Sequence, residues 1–546
     1  MGNVGATHFT QTCDQGYWVV KPSLAAILLG VLACGCTPLH EYLQNGFKVG
    51  PNYARPLAPV APQWIDAADG RVRNGSDDLS RWWKVFHDPV LDSLVCSASL
   101  QNLSMRQAGL QVLEARAQQA IAVGDLFPQT QQATGDYTRY AVSTEVANRS
   151  NVSKRFYSQW DYGFNLAWEL DFWGRFRRAV EAANGSLDAS VENYDAVLVT
   201  LLGDVATYYV QLRTFQQRIE YAQANVELQR QTLAIVLGRF KAGTTTKLDV
   251  AQAKSTLEQT EAQIPEFQIS LRQANNQLCI LLGIPVEELH ARLGPAAIPT
   301  APADVAAGIP AELLRRRPDV RRAERQAAAQ SAEIGVAEAE FYPHIAITGT
   351  IGYSAEQFKN LFRSTAFVGS IGPSFQWNIL NYGRILNNAR FQDARFIELV
   401  TAYQNTVLAA DQEVENGLVT FLRAQERTQF QSQSVTDAEE AVKIALGQYQ
   451  AGTIDFTRVT QLEQNLVLLQ DTLAQARGEI ALGLIQVYRA LGGGWQIRVT
   501  GCETSGESPH DEPRPSAETL PAPHPQPAAI PPKSPYMAAM PVKQDW

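Results

Sequence analysis

The sequence predicts a mainly α-helical chain with a membrane β-barrel portion, built from two tandem repeats that each hold a β-hairpin followed by long helices. Three observations predict it. The same landmarks recur at a constant offset of 209 residues: Trp168 with Trp377, Gly174 with Gly383, Arg175 with Arg384, and Leu282-Gly283 with Leu491-Gly492. Within each repeat the apolar pattern changes from period two to a helical period. The 546-residue chain has no run of about 18 or more apolar residues, so any membrane crossing must use strands.

Composition narrows the class. Hydrophobic residues make up 45% and charged residues 18%, which excludes wholesale disorder. Asp and Glu total 55 against 46 Lys and Arg, a net charge of −9, which argues against a nucleic-acid partner.

Residues 1–35 read as an export leader: Lys21, an apolar stretch from Ser23 to Ala33 too short to span a bilayer, then small residues around a cysteine. Gly35 and Cys36 resemble the lipobox of bacterial lipoproteins, which implies cleavage before Cys36 and its lipidation. Cys34, preceded by Ala33, is the rival site. Residues 36–80 then form a lipidated, extended N-terminal segment. Cys96, Cys279 and Cys502 remain, an odd number without metal-type spacing, so no disulfide framework is implied. The expectation is two half-buried thiols and one in a tail.

The first repeat covers residues 81–284. Large apolar side chains fill the even positions from Trp160 to Leu170 and alternate with Asp161, Asn165 and Glu169, the mark of a strand. Its partner lies within Gln131 to Tyr140, and the pair spans about 129–172. Apolar residues from Val191 to Val226 then step by three and four, a period that keeps one seam against a neighbouring helix. The Pro-free helical span from Phe176 to Ala242 is 67 residues, about 100 Å at the helical rise per residue. It stops at Gly243, and a second helix returns from near Thr246 to about 283.

Residues 285–312, rich in Pro and Ala, connect the repeats. The second repeat, 313–494, has strands within about 343–381, where Ser370, Ser374 and Gln376 alternate with Ile371 and Phe375. Its helices run over about 385–492 and turn at Gly452. Residues 495–546 are expected as a Pro-rich, disordered tail, since 11 of the last 44 residues are proline.

Physical constraints join these parts. Four amphipathic strands leave two open edges, and each unpaired backbone group in lipid costs several kcal/mol. One chain therefore cannot close a barrel, for which about eight strands is the usual minimum, whereas three chains give twelve. Asp161, Asn165, Glu169, Ser370, Ser374 and Gln376 then face the lumen. Tyr157, Trp160, Trp168, Trp173, Trp377 and Tyr382 suit an interfacial girdle. The long helices continue the tube away from the membrane.

The chain resembles the TolC-type outer-membrane efflux proteins, in the NodT-like lipoprotein subgroup. The resemblance rests on VGPNYARP (49–56), RWWKVFHDPVLDSLV (81–95), WELDFWGRFRRAVEAA (168–183), RFKAGTTTKLDVAQAKSTLEQTEAQIP (239–265), LLRRRPDVRRAERQAAAQSAEIGVAEAEFYPHIAITG (313–349) and GPSFQWNILNYGR (372–384). It implies a homotrimer that is lipid-anchored in the outer membrane and extends into the periplasm. Such a trimer docks on a periplasmic adaptor and an inner-membrane RND-type pump, and conducts small molecules outward passively. It is not an enzyme and holds neither cofactor nor metal.

The resemblance also implies a periplasmic gate at the helix tips. Asp249 lies six residues beyond Gly243, as in the family. The second tip departs from the family: Thr457, Arg458 and Gln461 stand at the matched positions, where an acid is common, with Asp455 just before them. An Asp ring and an Asp249 to Arg458 pair are both open as gates. The plain reading of Asp249 is a first-turn acid complementing its helix dipole. The turns at Gly243, Thr244, Gly452 and Thr453 are the implied adaptor-docking points.

Arg315, Arg316, Arg317, Arg321 and Arg322 are expected as a solvated helix start, opened by Pro318 and Asp319, rather than an anion site. The GGGW run at 492–495 lacks a following Lys-Ser/Thr and reads as a helix stop. A periplasmic hydrolase is disfavoured, because only His40, His87, His290 and His344 lie outside leader and tail and neither HExxH nor GxSxG occurs. The other alternative is a structural coiled-coil outer-membrane lipoprotein without transport activity, which would not need two-sided strands.

Overall fold

The computed structural model describes residues 39–502 apart from 74, 76, 77, 144, 146 and 148–153. The expected leader, Cys34, Cys36 and the Pro-rich stretch from Glu503 onward lie outside the described residues.

Helices α1 (Pro89–Gln101) and α2 (Leu103–Gly124) lead into strands β1 (Thr130–Ala141) and β2 (Phe156–Glu169). The 67-residue α3 (Arg175–Lys241) and the 35-residue α4 (Lys247–Leu281) complete the first repeat. Helix α5 (Pro318–Ala339), strands β3 (His344–Ala355) and β4 (Phe367–Gln376), the 68-residue α6 (Arg384–Ala451) and the 35-residue α7 (Phe456–Ala490) repeat that order. Both long helices start from a left-handed glycine, Gly174 at φ 83° and Gly383 at φ 80°, a backbone that side chains with a Cβ rarely adopt.

Each long helix is covered by two shorter ones laid end to end. Helices α2 and α4 pack on α3, and α5 and α7 pack on α6, while α5 and α7 also pack on α3 and join the repeats. The junctions between the short helices are equivalent. Asn102 Nδ2 donates to the Leu281 carbonyl at 2.9 Å, so the start of α2 meets the end of α4. Arg317 Nη1 donates to the Ala490 carbonyl at 2.8 Å, so the start of α5 meets the end of α7. The main core collects at this equator, around Trp64, Trp82, Trp83, Tyr209, Tyr403 and Phe421. Helix α7 approaches α6 at Gly483, where a Cβ would stand 2.7 Å from the Phe421 nitrogen.

The arginine run is only in part a solvated helix start, with Arg315 exposed. Arg317 is buried and holds Asp319 at 2.7 Å and Glu413 at 2.8 Å; Arg321 holds Glu192 at 2.7 Å; Arg316 holds Glu312 at 2.5 Å. The physical reason is that α5 is wedged between α3 and α6, so its first turn is covered by chain from both repeats. Burial alone would raise the Asp319 carboxyl, but the Arg317 hydrogen bonds and charge outweigh it and hold it below the ordinary range.

Two further readings change. Cys96 and Cys502, expected as free thiols, form a disulfide across a sequence separation of 406, and Cys279 is a free, buried thiol. Residues 495–502, expected in the tail, belong to the body: Ile497 is buried in the equatorial core and Arg498 pairs with Asp195. Pro265 lies inside α4, within the returning helix expected from near Thr246 to about 283. Within the segment expected to be extended, Leu39–Gln44 form a helix, and the chain beyond it crosses both repeats: Arg178 donates to the carbonyls of Val49 and Gly50, Tyr53 to Glu324, and Trp64 to Gly308.

Candidate functional site

Two places carry the expected functional residues. The first is the sheet, ordered β1-β2-β3-β4 with antiparallel neighbours throughout, so β1 and β4 are its edges. Residues paired across antiparallel strands share a face. Thr350 stands opposite both Asn165 and Ser370, and Ala346 opposite both Glu169 and Ser374. Asp161 is in step with Asn165, and Gln376 opposite His344 is in step with Ser374, so all six expected lumen residues lie on one face. Hydrogen bonds run along that face, between the Thr350 and Ser370 hydroxyls at 3.2 Å and between His344 and Glu169 at 2.7 Å.

The opposite face is apolar: Tyr162, Tyr353 and Phe367 form one row, and Leu166 and Ile371 belong to another. Phe164 is 53%, Phe375 75% and Ile371 77% exposed in the single chain, the mark of an interaction surface. Among the expected girdle residues, Trp168, Trp173 and Trp377 donate their ring N–H to the carbonyls of Leu126, Pro343 and Phe341 at the helix end of the sheet. Trp160 packs on Tyr137 near the other end. Tyr157 departs from the expectation, because it is in step with Asp161 and lies on the polar face.

The second place is the pair of helix tips. Both turns have the same geometry: Gly243 and Gly452 take φ 70° and 78°, and the side chains of Thr244 and Thr453 donate to the carbonyls of Arg239 and Gln448. Beyond the turns the tips diverge. In the first, Thr246 and Asp249 make a reciprocal capping box, and Thr245 also donates to Asp249. Partial burial would raise the Asp249 carboxyl, but the bonds from Thr245 and Thr246 outweigh it and hold it below the ordinary range. In the second, Asp455 takes the N-cap position without a side-chain cap bond, and Arg458 stands where the first tip has Asp249.

Among the described residues no ion pair joins Asp249 to Arg458 within the chain. Asp455, Thr457, Arg458 and Gln461 are exposed on one side of the start of α7, while Val459 and Glu463 are buried on the other. The two tips are joined by residues that sequence reasoning missed. Arg239 donates to the Tyr449 carbonyl and lies 4.6 Å from the centre of its ring, and the Tyr449 hydroxyl is 3.3 Å from Thr245 Oγ1. Neither residue is shared by the two repeats, so the 209-residue offset gave no signal for them.

Above the tips a buried polar seam joins α3 to α7: Asn225 to Gln470 at 2.7 Å and Thr232 to Glu463 at 2.6 Å. Burial raises the Glu463 carboxyl, and the Thr232 bond only partly offsets this.

Comparison with known proteins agrees with this architecture in both repeats. The profile of the family described as outer membrane efflux protein matches residues 94–284 and 309–493. Nodulation protein T of Rhizobium leguminosarum bv. trifolii is 30% identical over 462 residues, covering 84% of this chain and 97% of the relative. The pyoverdine export outer membrane protein OpmQ of Pseudomonas putida is 32% identical over 422 residues, covering 76% and 88%. The solved structure of the outer-membrane channel OprN superposes with a TM-score of 0.76 at 32% identity, covering 82% of this chain and 99% of that one. With a sheet polar on one face and apolar on the other, and long helices ending in paired tips, the chain belongs to the outer membrane efflux protein family and serves in the outer membrane as an efflux duct.

Proposed function

We propose that three copies close a twelve-stranded barrel by pairing β4 of one chain with β1 of the next. The observation that carries this is the four-stranded sheet with two open edges and opposite faces of opposite polarity. In lipid such edges have to be paired, and closure with neighbours pairs both at once. The polar face, with Asp161, Asn165, Glu169, Ser370, Ser374 and Gln376, then lines a water-filled lumen, and the apolar face meets lipid. The helices continue the tube for about 100 Å.

The protein acts as the passive exit duct of a tripartite system and performs no chemistry of its own. The turns at Gly243, Thr244, Gly452 and Thr453 receive a periplasmic adaptor, behind which an inner-membrane RND-type pump supplies small molecules. Asp249, Asp455, Thr457, Arg458 and Gln461 constrict the tube at the tips. The exposure of the last four in a single chain supports this, since a gate residue must reach the axis or a neighbouring chain. Because Asp249 is held in its own capping box, contacts of Arg458 with a neighbouring copy are the favoured closure. Lipidation at Cys36, or at Cys34, anchors the N-terminal segment. Native mass spectrometry of the detergent-extracted protein tests the assembly: a trimer is expected, and a stable monomer or dimer contradicts it.

A further inference from the structure

The described chain ends in a strap that leaves the second repeat and closes over the first. After α7, Gly493 and Gly494 pass so close to Trp82 and Leu202 that a Cβ would stand 2.9 Å and 2.6 Å from them. The Trp495 ring then lies 4.6 Å from the Arg321 guanidinium carbon, and Ile497 enters the equatorial core. Arg498 holds the buried Asp195 of α3 through two bonds, at 2.6 and 3.2 Å, and Arg81 donates to the Gly501 carbonyl at 3.3 Å. The strap ends at Cys502, whose sulfur is bonded to Cys96 of α1, a residue only 5% exposed.

We propose that Cys96 and Cys502 are an oxidation site of this protein, and that their disulfide is the lock that keeps the strap closed once the chain has left the cytoplasm. The non-covalent contacts alone suit a reversible latch. The strap's helix, Ile497–Thr500, has 4 residues and Arg498 is partly exposed, so the strap opens locally at less cost than the long helices, each opening leaving the buried Asp195 without its partner. A covalent bond to α1 removes that freedom and fixes the end of the second repeat to the first.

The oxidant is a protein disulfide of the thiol-oxidising class that acts in oxidising compartments. The two thiols lose two protons and two electrons as the Sγ–Sγ bond forms, and the oxidant's disulfide is reduced to a dithiol. Burial of Cys96 means that this exchange takes place before the strap has fully closed, while both sulfurs are still accessible.

The test uses the full chain extracted from outer membranes. Alkylation after denaturation, read by peptide mass spectrometry, is expected to label Cys279 with or without reductant, and Cys96 and Cys502 only after reductant. Labelling of both without reductant overturns the proposal. Limited trypsin cleavage after Arg498 then reads the lock. Cleavage is expected to accelerate by about tenfold or more in the folded protein treated with dithiothreitol, and equally in the Cys96→Ser/Cys502→Ser variant. If cleavage after Arg498 is as slow in the reduced wild type as in the oxidised protein, the strap is held by its non-covalent contacts and the lock is refuted. The wild-type reduction arm remains decisive if the double variant fails to fold.

Discussion

The guanidinium of Arg239, at the end of α3, lies 4.6 Å from the centre of the Tyr449 ring, at the end of α6, and donates to the Tyr449 carbonyl. The two tips of one chain are thereby a single mechanical unit, with Tyr449 reaching on to Thr245 and Thr245 to Asp249. Arg239→Ala is expected to speed hydrogen exchange in both tip segments together, 240–249 and 449–458, by about fivefold, the equivalent of about 1 kcal/mol. Faster exchange in one segment alone contradicts the coupling.

The second tip lacks the capping box of the first. Transplanting it with Asp455→Thr and Arg458→Asp should stabilise the first turn of α7 by about 1 kcal/mol, seen as slower amide exchange near Val459. Unchanged exchange would mean that the difference between the tips has no local energetic consequence.

Glu463 supplies a pH dependence with a defined sign. Its carboxyl is raised above its ordinary 4.5 by burial. The folded state therefore disfavours ionisation: this contribution is fully present below the ordinary glutamate value and is lost as pH rises through the raised one. Glu463→Gln keeps an acceptor for Thr232 and removes the charge. It should stabilise the fold at about pH 8 by on the order of 1 kcal/mol, read as a higher melting temperature, and leave the melting temperature unchanged at about pH 4. Equal effects at both values contradict the assignment.

Neighbouring positions of β4 distinguish lipid from lumen. Ile371 lies on the apolar face and Ser370 on the polar one. Ile371→Lys should cost about 2–4 kcal/mol and sharply lower the yield of assembled protein in the outer membrane, whereas Ser370→Lys should leave the yield near wild type. The reverse order would invert the barrel's faces.

Much of this was legible in the sequence because periodicity reports burial. The heptad-like seam of α3 follows from which side is covered, and the even apolar positions of β2 from the sheet's having one apolar face. Helix α2 was not legible, since only Met105 and Ala108 are buried along it and its other faces mix Ala, Gln and charge with the exposed Leu103, Leu110, Leu113 and Ile121. The arginine run misled for a different reason. A cluster of cations looks solvated until its partners are known, and Glu413 and Glu192 are distant in sequence from Arg317 and Arg321. Arg317 has the same role as Asn102 at the counterpart junction, since in each repeat a polar side chain at the start of one short helix binds a carbonyl at the end of another. The disulfide was hidden because three cysteines with no motif spacing give no parity argument. The tips were legible as turns, through glycine and threonine, but the Arg239 to Tyr449 tie depends on α3 and α6 ending side by side, which no local pattern reports.

The central claim is that three chains form a conduit closed at its helix tips. Single-channel recording of the purified protein in planar bilayers, with Asp249→Ala and Arg458→Ala measured beside it, tests this most directly. The account predicts small, mostly closed currents for the wild type, with larger and longer openings in the variants and the greater change for Arg458→Ala. Well-folded protein that passes no current, in the wild type and in both variants, would contradict it.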